Sequence, residues 1–194
     1  MHQNKTIMKF LFLAMLTCTT LFAQKPCDFS SNVKDSVGTY KSTKEYLVYE
    51  KNYGGTMSTM HFSLALTDEL PTLNMQLINK SKDFIKANCL DKNSRIHLQL
   101  NNGKIITLIH IDQENCGASV RDDKGFNNRI LQGFFMFMNN TFADLKSSPI
   151  SVMRIKYATE TVDYIFKQEL KSETDGNVYY PENYFIDTLH CLDN

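Results

Sequence analysis

Run after run of this sequence alternates between apolar and polar residues, and this two-residue period restricts the chain to a fold built mainly from β-strands. In the clearest run, every second residue from Met60 to Leu66 is apolar. Successive side chains of an extended strand point to opposite faces, so the run forms a strand with one apolar face. Such a face must pack against another apolar surface, which indicates a half-buried sheet.

Similar runs predict further strands, and turn residues separate them. These runs lie at residues 46–51, 73–77, 96–100, 105–111, 130–138, 150–157 and 161–166. Short helices are predicted after Thr141, which suits an N-cap, and at Pro181, which suits a first helical position. Phe185, Leu189 and Leu192 then share one face of the C-terminal helix.

The sequence thus predicts about eight strands and two or three short helices. Because the strands follow one another without long intervening helices, the sheet is expected to be mainly antiparallel. We predict a single α+β domain over residues 24–194, with one helix at the C-terminus. A sandwich-like sheet and a partly closed barrel are the two variants of this fold class.

The first 23 residues have the pattern of a cleaved signal peptide. Lys5 and Lys9 supply the basic start, residues 10–16 form a short apolar core, and Ala23 is a small residue before the cut. An uninterrupted membrane span needs ~20 apolar residues, and this core is shorter. The sequence therefore predicts a secreted or periplasmic protein that begins near Gln24.

A lipid-anchored outer-membrane form, cut before Cys18, is the alternative to plain cleavage. Lipoprotein peptidases prefer Leu three residues before the cysteine and a small residue directly before it. Met15 and Thr17 stand at those two positions, so neither preference is met. Cleavage after Ala23 is therefore favoured.

The charge balance argues against nucleic acid as a partner. The chain has 21 basic and 21 acidic residues, and loss of Lys5 and Lys9 with the leader gives the mature chain a formal charge of −2. Nucleic-acid binding and anionic lipid binding both need a basic excess that this chain lacks. The 13 phenylalanines and 9 tyrosines argue against disorder.

A hairpin is predicted around Asn102-Gly103, a dipeptide typical of two-residue type I′ turns. Such a turn places Arg95 opposite His110. It also places the residues of two apolar rows on one common face, namely Ile96, Leu98 and Leu100 with Ile105, Thr107, Ile109 and Ile111.

Four cysteines remain after removal of the leader: Cys27, Cys89, Cys116 and Cys191. An even number of cysteines in an exported protein indicates disulfides. The hairpin register, continued outward, brings Cys89 opposite Cys116, which leaves Cys27 to bond Cys191. The alternative is that some or all four are buried free thiols.

The same hairpin carries the sharpest chemical possibility in the sequence. His97 lies diagonal to His110 on its expected outer face, and Asp112 follows on that face. Imidazole and carboxylate groups are zinc ligands, so these three residues form a candidate metal site. The charge of Arg95 opposes cation binding there, and the alternative is that the histidines are solvated or packed without a metal.

Motifs for nucleotide binding and hydrolysis are not found in the sequence. It has no Gly-rich phosphate loop, no G-x-S-x-G elbow and no H-E-x-x-H pair. A nucleophilic Cys116 needs a lowered pKa and a base in reach, and nothing local supplies either. The sequence therefore predicts no catalytic residue, no cofactor-binding residue and no cofactor.

Tyrosines are concentrated toward the C-terminal end. They are Tyr157, Tyr164, Tyr179, Tyr180 and Tyr184. Aromatic side chains of this kind form contact surfaces for proteins and carbohydrates, so a protein or carbohydrate ligand is a candidate partner. The favoured alternative is ordinary packing of these rings within strands and a helix.

The junction Leu21-Phe22-Ala23-Gln24 resembles the end of signal peptides that are common among Bacteroidetes bacteria. The segment 94–104 and the segments 150–157 and 162–164 are similar in style to small uncharacterised exported proteins of that group. The resemblance covers about half of the mature chain. It implies a periplasmic or surface location and implies no activity.

These patterns together favour an exported, non-enzymatic binding or envelope-associated domain that acts through a β-sheet surface. The alternatives are a secreted hydrolase without a recognisable local motif and a metal-binding protein. A shallow surface would support binding, whereas a deep polar pocket that gathers His97, His110, Asp112 or another acid would support an enzyme.

Overall fold

The computed structural model describes residues 25–36 and 38–193. The predicted signal peptide, residues 1–23, lies outside the described residues, and so does Cys18. Within the described ranges, no helix has the length and apolar character needed to cross a membrane.

Thirteen strands and two short α-helices make up the described chain. The strands are β1 (Phe29–Lys34), β2 (Thr39–Thr43), β3 (Tyr46–Tyr53), β4 (Thr56–Thr67), β5 (Leu70–Ser81), β6 (Arg95–Leu100), β7 (Ile105–His110), β8 (Ala118–Arg121), β9 (Asn127–Phe137), β10 (Ile150–Lys156), β11 (Thr161–Ile165), β12 (Leu170–Lys171) and β13 (Val178–Tyr179). The helices are α1 (Phe142–Ser147) and α2 (Tyr184–Thr188), and 3₁₀ turns at Pro181–Asn183 and Leu189–Leu192 flank α2.

Eleven of these strands form one antiparallel sheet in the order β1-β2-β4-β5-β9-β7-β6-β10-β11. The long strands β4, β5 and β9 form its centre. Strand β3 shares one edge of β4 with β2, and β8 shares one edge of β9 with β7. The predicted antiparallel sheet is confirmed, whereas the sandwich-like variant is not. The sheet is not closed, and β12 and β13 pair only with each other.

The sheet curves strongly, as contacts between side chains of strands far apart in its order show. The rings of Tyr49 in β3 and Tyr164 in β11 lie 5.1 Å apart and edge to face. The concave face carries the apolar row predicted between Met60 and Leu66, whose members are buried together with the inward residues of β5, β6, β7 and β9. The two-residue period therefore defines the core correctly.

Residues 181–192, called the C-terminal segment below, fill part of this concave face. Phe185, Leu189 and Leu192 are buried, as the helical face in the sequence predicted. The Phe185 ring lies 6.3 Å from that of Phe62 in β4 and 5.9 Å from that of Phe137 in β9. The segment thus supplies the apolar cover that an open, one-layered sheet lacks.

Two disulfides connect the four described cysteines in the pairing that the sequence favoured. Cys27 bonds Cys191 with 5.6 Å between their Cα atoms, and the bond joins residues 164 positions apart. Cys89 bonds Cys116 across 27 positions. The first bond fastens the beginning of the described chain to the C-terminal segment.

The predicted register of the β6–β7 hairpin is wrong by one residue. Arg95 faces Ile109 rather than His110. The connection has three residues, since the N–H of Leu100 donates to the carbonyl of Lys104 and that of Gly103 donates to the carbonyl of Leu100. Gly103 adopts a φ of 84°, the left-handed conformation that closes three-residue hairpins.

A one-residue slip sends every side chain of a strand to the other face of the sheet. Ile106, Leu108 and His110 are therefore the residues of β7 that are buried with Ile96 and Leu98. The residues predicted to face the core from β7 point outward instead. They are Ile105, Thr107 and Ile109, with Ile111 following on the same side.

The disulfide between Cys89 and Cys116 survives this error because the return strand contains an extra residue. The carbonyl of Ser94 accepts from the N–H of His110, whereas Leu90 and Asn115 exchange two backbone hydrogen bonds of 2.8 and 2.9 Å. Three residues lie between Leu90 and Ser94 on the first strand, whereas four lie between His110 and Asn115 on the return strand. The register at Leu90 thus returns to the one the sequence predicted, and the cysteines meet.

We expect Gly103→Val to lower the free energy of unfolding by about 1–2 kcal/mol, because an L-residue with a branched Cβ is strained at this φ. Gly103→Asn is the matched variant, and it should lose less because Asn tolerates the left-handed region. Nothing lies within 4 Å of a Cβ added to Gly103, so a clash would not obscure the comparison. Urea unfolding of both variants measures the difference, and equal losses would contradict the three-residue loop.

Candidate functional site

His97 lies on the outer face of β6, where cations surround it. Its Nδ1 is 2.9 Å from the hydroxyl of Thr107 on β7. Partial burial lowers the pKa of the His97 imidazole, and the positive charges of Arg154, Arg95 and Lys156 lower it further. This environment repels a metal cation.

His110 lies on the opposite face, in the core. The side chain is only 4% exposed, and its ring packs 5.3 Å from that of Phe135. The Nδ1–H donates to the carbonyl of Asp91 at 2.9 Å, which fixes the ring. Asp112 is exposed in the segment after β7, where it accepts from the N–H of Gln113. The structure does not bring His97, His110 and Asp112 together, because the hairpin register that was expected to do so is wrong.

The structure assembles a different group of metal-capable side chains. Within residues 25–36 and 38–193, Cys27, His190 and Cys191 are the three whose ligand atoms lie within 4.8 Å of one another. Their two sulfurs are joined in a disulfide, so no thiolate is available to a metal. The His190 Nε2 lies 2.9 Å from the carbonyl of Lys25, to which it donates, and 3.3 Å from the Cys27 sulfur. The ring therefore packs on the bond and ties it to the start of the described chain.

The C-terminal tyrosines are mostly packing residues. Tyr157, Tyr164 and Tyr184 are buried, and the hydroxyls of the first two are hydrogen-bonded at 2.8 Å. Burial raises the pKa of Tyr164 to about 12. Tyr180 is partly exposed, and its backbone N–H donates to the hydroxyl of Tyr46. The five rings do not form the shared contact surface that the sequence left open, so the packing alternative describes them better.

An apolar groove lies on the outer face of the sheet and is called the outer groove below. It runs over the ends of β5, β7 and β9 and against the segment that leads into α1. Its main apolar lining consists of Leu70, Ile109, Met136, Met138 and Phe142. Ile109 and Met136 are cross-strand partners in β7 and β9, so adjacent side chains form its floor.

The outer groove is large, apolar and open. It encloses about 860 Å³, and Leu70 and Met138 at its margin are 45% and 48% exposed. The neighbouring Ile105 and Ile111 extend the apolar surface, with exposures of 64% and 45%. Glu69 is the sole charged residue among those that line it. Contiguous apolar patches of this kind on a folded protein mark interaction surfaces.

Two sequence features produce this surface. The run Ile130–Met138 is apolar on both strand faces toward its end, and only the inner face is covered by the core. The register slip adds Ile105, Ile109 and Ile111 to the outer side of the neighbouring strand. Sequence reasoning missed the groove because it assigned those isoleucines to the core. The available signal was the end of the 130–138 run, which is apolar on both strand faces.

Comparison of the chain with protein-family models, with curated proteins and with solved structures finds no match to any of them. Function is therefore inferred from the geometry alone.

The stability of the protein should fall as the pH falls below about 6.5, the ordinary pKa of histidine. His97 has a lower pKa in the folded chain, so the unfolded chain binds the proton more readily and acid favours unfolding. His97→Gln should make the decline between about pH 7.5 and about pH 5.5 shallower. Urea unfolding at both pH values measures this effect, and an unchanged slope in the variant would show that neither the partial burial of His97 nor the cations around it lower its pKa.

Proposed function

We propose that the chain is an exported, non-enzymatic binding domain whose outer groove holds an apolar segment of a partner protein. The observation that carries this proposal is the groove itself, in which Ile109 of β7 and Met136 of β9 form an apolar floor and the exposed Leu70 and Met138 form the margin. A folded protein gains nothing from exposing such a surface unless another molecule covers it.

The groove offers apolar side chains that a partner can bury. Full burial of one large aliphatic side chain contributes about 1.5–3 kcal/mol. Leu70 and Met138 are about half exposed, so each has part of this contribution still to gain. Met136 and Met138 are flexible and polarizable, so they can adapt to the shape of the partner.

The location in this proposal is the periplasm or the outside of the cell. Two disulfides are typical of proteins in oxidising compartments. The expected signal peptide and the resemblance to exported Bacteroidetes proteins support the same location. Anchoring through a lipid on Cys18 is the less favoured form of it.

The described residues do not favour the hydrolase alternative. Nucleophilic catalysis needs a hydroxyl or thiol, a histidine base and a group that orients the base. His97 contacts the Thr107 hydroxyl, but its neighbours are cations instead of a carboxylate. His61 lines a small cavity of about 240 Å³ with Thr174 and Asp175, yet the Thr174 hydroxyl donates to Glu50 and not to the imidazole.

Site-specific photocrosslinking tests the proposal in the host envelope. A photoreactive residue at Met138, at the margin of the groove, should give a discrete adduct with one partner protein. Ile109→Lys places a charge on the groove floor and should abolish that adduct. The purified Ile109→Lys variant should stay folded with a slightly lower unfolding midpoint, because Ile109 points away from the core but the new ammonium lies opposite Arg95.

Ile165 provides the matched control, since it is 69% exposed on β11 and does not line the groove. A photoreactive residue there should give no such adduct, and Ile165→Lys should leave the Met138 adduct intact. If Met138 and Ile165 give the same adducts, or if Ile109→Lys changes nothing, the groove is not the binding surface. An adduct between two copies of this chain would show that the groove mediates self-association and does not bind a different protein.

A further inference from the structure

A second concave surface lies at the other end of the curved sheet, where the apolar core stops. Strand register places Tyr49, Lys51 and Tyr53 of β3 on the inner face, with Lys51 opposite Ser58 of β4. Asn79 of β5 faces Ser58 in turn. Met60 of β4 and Leu77 of β5 are apolar inward residues. The next inward residue along each of these strands, Ser58 and Asn79 respectively, is polar.

These residues line a cleft of about 480 Å³, called the mouth cleft below. Asn88, Val162 and Tyr164 close it from the side of β11. The C-terminal segment does not reach it, because that segment packs at the end of the sheet that holds Tyr46 and Phe137. The cleft is therefore an opening at one end of the curved sheet. Small ligands commonly bind at the corresponding openings of β-barrels.

The floor of the cleft is rigid. The Tyr164 ring packs at 90° against Tyr49, and its hydroxyl is held by that of Tyr157. Burial raises the pKa of the Tyr49 phenol further above neutral pH. Ser58 donates to the Asn79 carbonyl oxygen at 2.6 Å, which orients the amide. In the described chain, the Asn79 amide nitrogen has no acceptor of its own and is available as a donor.

The rim of the cleft combines an exposed ring with one positive charge. Tyr53 is 77% exposed, and the Lys51 ammonium lies 5.4 Å from the centre of its ring. Lys51 is the only charged residue that lines the cleft, and it makes no ion pair with any described residue. A ligand that suits this lining has an apolar face, several hydroxyls and a carboxylate with which the Lys51 ammonium can pair.

We propose that the mouth cleft binds a short saccharide that carries a carboxylate, such as a uronic acid. Aromatic rings pack on the C–H face of a sugar ring, amides and hydroxyls pair with its hydroxyl groups, and the Lys51 ammonium pairs with the carboxylate. An added β-strand between β3 and β11 is blocked, because the Tyr49 and Tyr164 rings fill that gap. This site is separate from the outer groove and does not depend on a partner there.

Titration of the purified, ¹⁵N-labelled protein followed by ¹H–¹⁵N correlation NMR tests the site, with digalacturonate as the acidic probe and maltose as the neutral one. Digalacturonate should shift the amide signals of residues 49–58 and 79–88 in a saturable manner. Maltose should bind about tenfold more weakly, because it has no charge for Lys51 to pair with. Lys51→Met should remove the preference for digalacturonate.

Tyr53→Ala should weaken the binding of digalacturonate about tenfold, because the ring on which the sugar stacks is lost. Tyr40→Ala is the control, because Tyr40 is a partly exposed tyrosine on β2 outside the cleft. Both positions are exposed, so both variants should fold. The proposal is overturned if digalacturonate shifts no cleft signal, if Tyr53→Ala binds as well as Tyr40→Ala, or if Lys51→Met keeps the preference.

Discussion

The packing of the C-terminal segment into the concave face is the interaction on which the rest of the structure depends. A single curved sheet has an apolar inner face, and no second large sheet formed by the described residues covers this one. Tyr184 and Phe185 meet the ring of Phe62 in β4 at 5.5 and 6.3 Å. The bond between Cys27 and Cys191 holds the segment there by joining it to the start of the described chain.

This cover is incomplete, and its incompleteness creates the surfaces that could bind ligands. The segment is short, so it fills one end of the concave face and leaves the mouth cleft open at the other. Among the described residues, the outer groove lies over β7 and the end of β9 without comparable cover. The small β12–β13 hairpin packs against β3, where the Thr174 hydroxyl donates to Glu50.

The sequence predicted the elements that depend on local pattern. The alternation from Met60 to Leu66, the hairpin at 150–166 and the apolar face of the C-terminal helix all match the structure. These features follow from side-chain period and from turn residues, which act over a few positions. Strands such as β1, β2 and β8 were missed because they are short and carry no apolar alternation.

The site could not be predicted because it depends on a single-residue choice of loop length. Asn102-Gly103 suits both a two-residue and a three-residue connection, and the choice decides whether Ile109 or His110 faces the core. The expected metal site needed the first choice and the outer groove results from the second. The mouth cleft needed knowledge of how β3, β5 and β11 meet, and long-range curvature has no local signal.

The most direct test of the central role of the C-terminal segment is the unfolding free energy of Phe185→Ala, with both disulfides intact. Removal of this buried ring should cost about 3–5 kcal/mol, because it leaves a cavity between Phe62 and Phe137. Tyr40→Ala, which truncates an aromatic ring that is 43% exposed, should cost much less. Equal losses for the two variants in urea unfolding would contradict the view that the segment completes the core.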